Sequence, residues 1–191
     1  MKEGEKEKLF GEIEKTAHDY EVKYGGCAQC VLIALQEHLK LGNGEAFKAA
    51  SAFAGGFANC GETCGALSGG MMAIGLAYGR EHFEEIKKIE GWKIGDEVPP
   101  ILDSLMRGGR LVDKFKQKFG SLRCREIRHL VRGRPVDEDF RHPTKETKAQ
   151  SKKDHHLCGT VTGPAARFAA EIILEPKESF QEEILTYLVG R

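Results

Sequence analysis

The segment GGFANCGETCGALSGG, residues 55–70, decides how this chain folds. It contains two cysteines, Cys60 and Cys64, and six glycines, and it joins an alanine-rich segment to a strongly apolar one. Glycine lets the backbone come close to whatever the sulfurs bind. Turns that align successive N–H groups form anion-binding concavities, including those around iron–sulfur sites. A flexible turn with two structural thiols is the competing interpretation of this stretch alone.

The length and amino-acid composition are those of an ordinary globular protein. Its 191 residues are enough for one domain with a core, and 40% are hydrophobic and 30% charged. Lysine plus arginine equals aspartate plus glutamate, 29 each, so no net charge attracts nucleic acid, anionic membrane or acidic substrate. The charged N-terminal stretch lacks the apolar core of a signal peptide, and no apolar run is long enough to predict a spanning helix. We expect a cytoplasmic protein that binds neither nucleic acid nor membrane.

The cysteines are the main compositional signal. In a reducing compartment, thiols more often bind metals or carry redox chemistry than form structural disulfides. Buried cysteines that act as small hydrophobic residues would fit scattered positions better than two close pairs. The six are Cys27, Cys30, Cys60, Cys64, Cys124 and Cys158.

Apolar residues recur at helical spacing along most of the chain, and strand signals are almost absent. The first predicted helix covers residues 5–24, with an apolar face made of Leu9, Ile13, Ala17, Tyr20 and Tyr24. Segment 64–78 is apolar on nearly all sides, which predicts a helix in the middle of the domain. The other predicted helices cover residues 27–41, 45–54, 100–119, 164–174 and 178–189. We predict an all-α bundle of six to eight helices.

We treat residues 1–191 as a single helical domain. Residues 134–157 are too polar to pack as an element, which predicts a long surface loop before the last cysteine. Stripes on the first and last helices could support a homodimer, although burial in the core explains them equally well. The predicted parts are an N-terminal helix (1–24), a cysteine-bearing core (27–133 and 158–174), the loop (134–157) and a C-terminal helix (178–189).

Cys27 and Cys30 form a C-x-x-C pair at the start of a predicted helix, where the positive helix end favours thiolates. A c-type haem attachment would need histidine where Val31 stands, and a thioredoxin-like motif needs a βαβ context. Metal or cluster ligation and chance remain open for this pair. Cys60 and Cys64 have a spacing of the general kind that binds iron–sulfur clusters.

Cys124 is surrounded by basic residues. Nearby cations would stabilise a thiolate and offset the charge of a thiolate-ligated cluster, while a solvated basic helix face is the alternative. His155 and His156 closely precede Cys158 in the sequence, so a zinc site that includes them is a further alternative. No P-loop, nucleophile elbow or H-E-x-x-H motif is present, so nucleotide and hydrolase chemistry are disfavoured. The basic residues are Arg123, Arg125, Arg128, Arg132 and Arg134.

Four motifs occur in an order that resembles a known family. Residues 64–69, CGALSG, match a C-G-A-x-x-G signature, and residues 27–31, CAQCV, resemble an NCAQAV segment. Residues 119–127, FGSLRCREI, resemble FG-x-x-x-C-R-x-L, and Cys158 precedes an alanine-rich helix. Over roughly residues 20–174 the chain therefore resembles the C_GCAxxG_C_C family of redox-active proteins.

The resemblance implies a helical redox protein with four framework cysteines, Cys27, Cys64, Cys124 and Cys158. A similar domain occurs in split-Soret-type cytochromes, where it is associated with an iron–sulfur cluster and haem. This chain has no C-x-x-C-H, so the haem part does not carry over.

The chain also departs from the family pattern. Gly26 stands where the family often has the helix-capping asparagine, and the segments around Trp92 and Lys145 look like insertions. Cys30 and Cys60 are additional to the four framework positions. They could be auxiliary ligands, members of a redox pair, or neither.

The leading hypothesis is an electron-transfer or redox-sensing protein that binds an iron–sulfur cluster through the four framework cysteines. Amides of the glycine-rich segment, at Gly61, Gly65 and Gly69, would then donate hydrogen bonds to the cluster. A structural zinc or copper site built from the same thiolates is a metal-binding alternative. The redox partner protein is unknown.

A metal-free dithiol oxidoreductase is the remaining alternative. In it, a thiolate attacks a disulfide and a neighbouring cysteine resolves the mixed disulfide. The pair would be Cys27 with Cys30, or Cys60 with Cys64. If the protein is an enzyme, we expect an oxidoreductase.

Overall fold

The structure, a computed structural model, describes residues 1–83, 92–93, 95–133, 142 and 144–189. Within these residues the chain forms nine α-helices, and the one β contact is an isolated bridge between Thr63 and Arg123. The all-α prediction is confirmed, with one helix more than the upper bound predicted. The helices are α1 Glu3–Tyr24, α2 Cys27–Leu39, α3 Gly44–Ala49, α4 Gly65–Tyr78, α5 Pro100–Phe119, α6 Cys124–Arg132, α7 Lys145–Lys153, α8 Gly159–Ile173 and α9 Gln181–Val189.

Helix α4 lies at the centre of the bundle. It packs on α2, α5 and α8, while α1 packs on α2 and α8. Its first six residues are all buried, as are Ala73 and Ile74, so the segment that is apolar on nearly all sides does occupy the middle. Buried apolar side chains of α1, α2, α4, α5, α6, α8 and α9 form one continuous core. In the described part of the chain, no helix combines the length and apolarity needed to cross a membrane.

The buried face of α1 includes Ile13 and Ala17, as predicted, but is shifted around the helix toward both ends. Its buried residues are Phe10, Ile13, Ala17 and Glu21, whereas Tyr24 is 68% exposed. The face is set by packing against α2 and α8, which the apolar pattern of α1 alone does not specify. A carboxyl group is therefore buried near the C-terminal end of α1.

Helix α8 begins at Gly159, earlier than the predicted start at Pro164, and the proline lies inside the helix. The extra turn buries Val161 and Thr162, and the Thr162 hydroxyl donates to the Ala17 carbonyl at 3.2 Å. This packing against α1 compensates for the hydrogen bond that the proline cannot donate. As a result, Cys158 stands directly at the N-terminus of a long helix.

The polar segment predicted as a loop over 134–157 contains regular structure in its second half. Residues 145–153 form α7, and His155–Cys158 forms a 3₁₀ turn. Residues 145–153, KETKAQSKK, contain little apolar material, but four lysines and single glutamate, alanine and glutamine residues favour helix. Residues 134–141 and 143 lie outside the described residues, as do residues 84–91 and 94.

Helices α2 and α4 approach each other closely because α4 presents glycines to α2. A Cβ atom on Gly69 would lie 2.3 Å from the carbonyl oxygen of Ala28, which belongs to the backbone and cannot rotate away. A Cβ atom on Gly75, further along the same helix, would meet nothing within 4 Å. A side chain is therefore sterically excluded at position 69 and accommodated at position 75.

Gly69→Ala should lower the free energy of unfolding by about 3 kcal/mol, because overpacking forces α2 and α4 apart. Gly75→Ala should raise it by up to about 1 kcal/mol, because alanine restricts the unfolded chain and favours helix. Urea unfolding followed by circular dichroism measures both. Equal effects of the two substitutions would contradict the close contact at Gly69.

Candidate thiol site

Four cysteines, distant in sequence, influence one another electrostatically. The charges of Cys124 and Cys158 raise the pKa of Cys27, and those of Cys27 and Cys124 raise the pKa of Cys64. Cys158 likewise raises the pKa of Cys124. Such mutual effects require sulfurs that lie near one another in a poorly solvated interior. We call this group the thiol pocket: Cys27, Cys64, Cys124 and Cys158.

Each cysteine of the thiol pocket stands at the N-terminus of a helix. Cys27 and Cys124 are the first residues of α2 and α6, and Cys64 and Cys158 are the N-cap residues of α4 and α8. Helix N-termini carry partial positive charge and unpaired N–H groups, which favour anions. Four helix ends therefore favour negative charge on these sulfurs.

Backbone hydrogen bonds join the segment before α4 to the segment before α6. The Cys64 N–H donates to the Leu122 carbonyl at 2.8 Å, and the Arg125 N–H donates to the Gly61 carbonyl at 3.0 Å. The Cys124 N–H donates to the carbonyl of Glu62. This short antiparallel contact holds Cys64 and Cys124 side by side.

A left-handed turn precedes Cys60. Its five consecutive residues, 55–59, all have positive φ, between 49° and 74°, and the last three are not glycine. Left-handed backbone costs roughly 1–2 kcal/mol for each such residue. Gly56 must be glycine, since a Cβ atom there would lie 2.7 Å from Cβ of Cys124. The turn thus packs bare backbone against the thiol pocket.

Burial is the main cause of the high thiol pKa values. It raises the pKa of Cys27 to about 12 and that of Cys124 to about 11, and it raises those of Cys64 and Cys158. Backbone amides act in the opposite direction: Gly55 lowers the pKa of Cys27, and amides of the first turn of α4, at residues 66 and 67, lower that of Cys64. The metal-free thiols are therefore protonated at neutral pH.

Among the arginines near Cys124 that the structure describes, two act on the thiol pocket. Arg128 and Arg132 lower the pKa values of Cys124 and Cys158. The Arg132 side chain is only 4% exposed and hydrogen-bonds to Cys158. This agrees with the prediction that arginines favour thiolates here.

The other arginines have different roles. Arg123 and Arg125 both bind the carboxylate of Glu62, at 3.0 and 2.6 Å, and Arg125 also donates to the carbonyl of Cys60 at 2.8 Å. They fasten the segment before α4 to α6. Arg134 lies outside the described residues.

The two additional cysteines occupy different surroundings. Cys30 is buried on α2, where its thiol donates to the Gly25 carbonyl at 3.2 Å and is hydrogen-bonded to Glu21. Cys60 is half-buried, and its N–H donates to the Phe57 carbonyl at 2.9 Å. All six cysteines are free thiols.

The three glycines predicted to bind a cofactor lie in different places. Gly65 adjoins the thiol pocket, because a Cβ atom there would lie 2.4 Å from Sγ of Cys27. Gly61 takes part in the backbone contact to Arg125, and Gly69 serves the α2–α4 contact. His156 is exposed, and the side chain of His155 lies outside the described residues.

Sequence reasoning missed Glu21. It is 3% exposed, and burial raises its pKa to about 7, while the hydrogen bond from Cys30 and the charge of Arg128 lower it. Its own charge raises the pKa of Cys27 and Cys158. The spacing of the buried face of α1, with glutamate as its last member, was the signal that could have found it.

Among the described residues, no three histidine, cysteine, aspartate or glutamate side chains are arranged to hold a single metal ion. In a cluster, different cysteines bind different irons. Ligands of a cluster therefore need not converge on one point, as ligands of one ion do.

A helical protein with four free thiols at helix ends is the class that this fold and site define. The family model described as "Putative redox-active protein (C_GCAxxG_C_C)" matches residues 26–172. The chain belongs to this family, as its motifs predicted. Comparisons with curated proteins and with solved structures find no match.

Stability of the reduced, metal-free protein should fall as pH rises above 9. Unfolded thiols lose their proton near pH 9, whereas Cys124 and Cys27 hold theirs until about 11 and 12, so the folded state binds more protons in this window. Each thiol contributes a loss of about 1.4 kcal/mol per pH unit. Urea unfolding at several pH values with a chelator and a reductant measures the slope.

Cys124→Ser and Cys27→Ser should each reduce the loss of stability with pH by the contribution of one thiol, about 1.4 kcal/mol per pH unit, between pH 9 and 11. Serine has no proton to lose in this range, so only the remaining thiols contribute. Slopes unchanged from wild type in both variants would show that these thiols are not the buried groups responsible.

Proposed function

We propose that this protein transfers electrons or senses redox state through an iron–sulfur cluster bound by Cys27, Cys64, Cys124 and Cys158. The observation that carries the proposal is that four cysteines at helix N-termini lie near enough to raise one another's pKa values, with backbone contacts joining the segments that carry Cys64 and Cys124. Thiolates are the usual protein ligands of such clusters. The family's redox character is consistent with this role.

The residues present suit such a group. The four sulfurs supply the donor set, and the glycine at position 65 lets Sγ of Cys27 lie closer to the start of α4 than a Cβ atom would allow. The backbone amide of Gly55 is close enough to Cys27 to lower its pKa, and hydrogen bonds of this kind to cluster sulfurs tune potential. When bound, the cluster would supply a site that accepts and releases one electron.

Charge compensation is also present. Thiolates in a buried pocket are costly without positive charge, and Arg128 and Arg132 supply it beside Cys124 and Cys158. Metal binding deprotonates a coordinating thiol outright. It would therefore overcome the burial that keeps these thiols protonated in the metal-free protein.

The metal-free dithiol alternative has less support. The thiolate is the attacking species in disulfide exchange, and buried cysteines with raised pKa values are poor nucleophiles. Burial raises the pKa of Cys27, Cys30 and Cys64, which belong to the two candidate pairs. A zinc or copper site in the same thiol pocket is the other alternative. Elemental analysis distinguishes it from a cluster, because only the cluster contains iron and acid-labile sulfide.

Anaerobic reconstitution with iron and sulfide tests the proposal. We expect a brown protein that retains iron and acid-labile sulfide after desalting. Cys124→Ser should lose most of the bound iron, because it removes one of the four proposed ligands. Cys60→Ser is the matched control, since Cys60 lies outside the thiol pocket, and it should retain the wild-type content.

A colourless wild-type protein after reconstitution would refute the cluster. Zinc or copper without sulfide in the protein as purified anaerobically would favour the structural metal site instead. Equal iron loss from both serine variants would show that the thiol pocket is not the specific binding site.

A further inference from the structure

Glu21 is a buried carboxyl group that the framework cysteines do not explain. It lies on α1, where it is 3% exposed. The family match begins at residue 26, so Glu21 comes from outside the matched segment. Burying a carboxylate is costly unless it is paired or has a functional partner.

Helix α1, whose buried face carries Glu21, packs on α2, on α8 and on the turn that ends at Cys158, which places Glu21 beside the thiol pocket. Its charge raises the pKa of three pocket cysteines: Cys27, Cys124 and Cys158. One residue of α1 therefore acts on cysteines that belong to α2, α6 and the start of α8.

Two neighbours interact with this carboxyl group. The Cys30 thiol is hydrogen-bonded to Glu21 and also lies 3.2 Å from the Gly25 carbonyl. From the opposite element, α6, Arg128 lowers the pKa of Glu21 by its positive charge. Cys30 thus serves as a hydrogen-bonding partner of Glu21 in this arrangement.

We infer that Glu21 sets the redox potential of the group bound in the thiol pocket by placing a fixed negative charge beside it. The inference rests on the proposed function. Reduction adds one electron from an external donor, with no bond made or broken, and a neighbouring negative charge disfavours that added charge. Arg128 and Arg132 act in the opposite direction. The potential therefore depends on the balance between the negative charge on α1 and the two positive charges on α6.

Glu21→Gln tests the inference because it removes the charge and keeps an oxygen that can accept the Cys30 hydrogen bond. Glu12→Gln is the matched control: it makes the same charge change on the same helix, but at an exposed position. Both variants and the wild type are reconstituted anaerobically with iron and sulfide. Their midpoint potentials are then measured at pH 8.5 by reductive titration with redox mediators.

We expect Glu21→Gln to favour the reduced form at least tenfold, a rise of about 59 mV for a one-electron couple. Glu12→Gln should stay within threefold of the wild type, because solvent screens its charge. Glu21→Asp retains the charge and should also stay within threefold. Iron and sulfide content should be the same in all four proteins.

Equal potentials for Glu21→Gln and the wild type, with equal cluster content, would overturn the inference and leave the proposed function intact. A shift in Glu21→Asp as large as in Glu21→Gln would also overturn it, since shape rather than charge would be responsible. If circular dichroism shows that Glu21→Gln folds poorly, Glu21→Met is the second neutral variant, and an unchanged potential there overturns the inference equally. A wild type that takes up no iron or sulfide removes the proposed function itself.

Discussion

The close approach of α2 and α4 is the contact on which the rest of the site depends. Two glycines on α4 allow it: a side chain on Gly69 would strike the backbone of α2, and one on Gly65 would strike the sulfur of Cys27. With these helices in contact, Cys27 and Cys64 stand at neighbouring helix ends. Glycine lowers helix propensity, so tertiary packing must stabilise α4.

Strain and charge are concentrated around the same cysteines. The left-handed turn 55–59 places backbone without side chains against Cys124, and strained backbone persists only where the surroundings impose it. Ion pairs between Glu62 and two arginines hold the next segment on α6. Unfavourable backbone conformation is therefore retained in the segment that packs against the sulfurs.

Side chains of opposite charge act on the thiol pocket from two helices, α6 and α1. Helix α6 contributes Arg128 and Arg132, which favour thiolates, and α1 contributes Glu21, which disfavours them. Desolvation acts on every pocket sulfur in the same direction as Glu21. In water these effects would be small, but a poorly solvated pocket magnifies each of them. A group with positive charge in the pocket would reverse the balance.

The all-α class, the central place of α4 and the family followed from the sequence, because helical periodicity and the C-G-A-x-x-G motif are local properties. Local patterns also marked the cysteines as the residues of interest. The start of α8 and the ends of the buried face of α1 did not follow, since contacts between distant helices set both. That four helix ends share one pocket, with Glu21 beside them, was decided by tertiary structure alone, because only packing determines which distant residues meet.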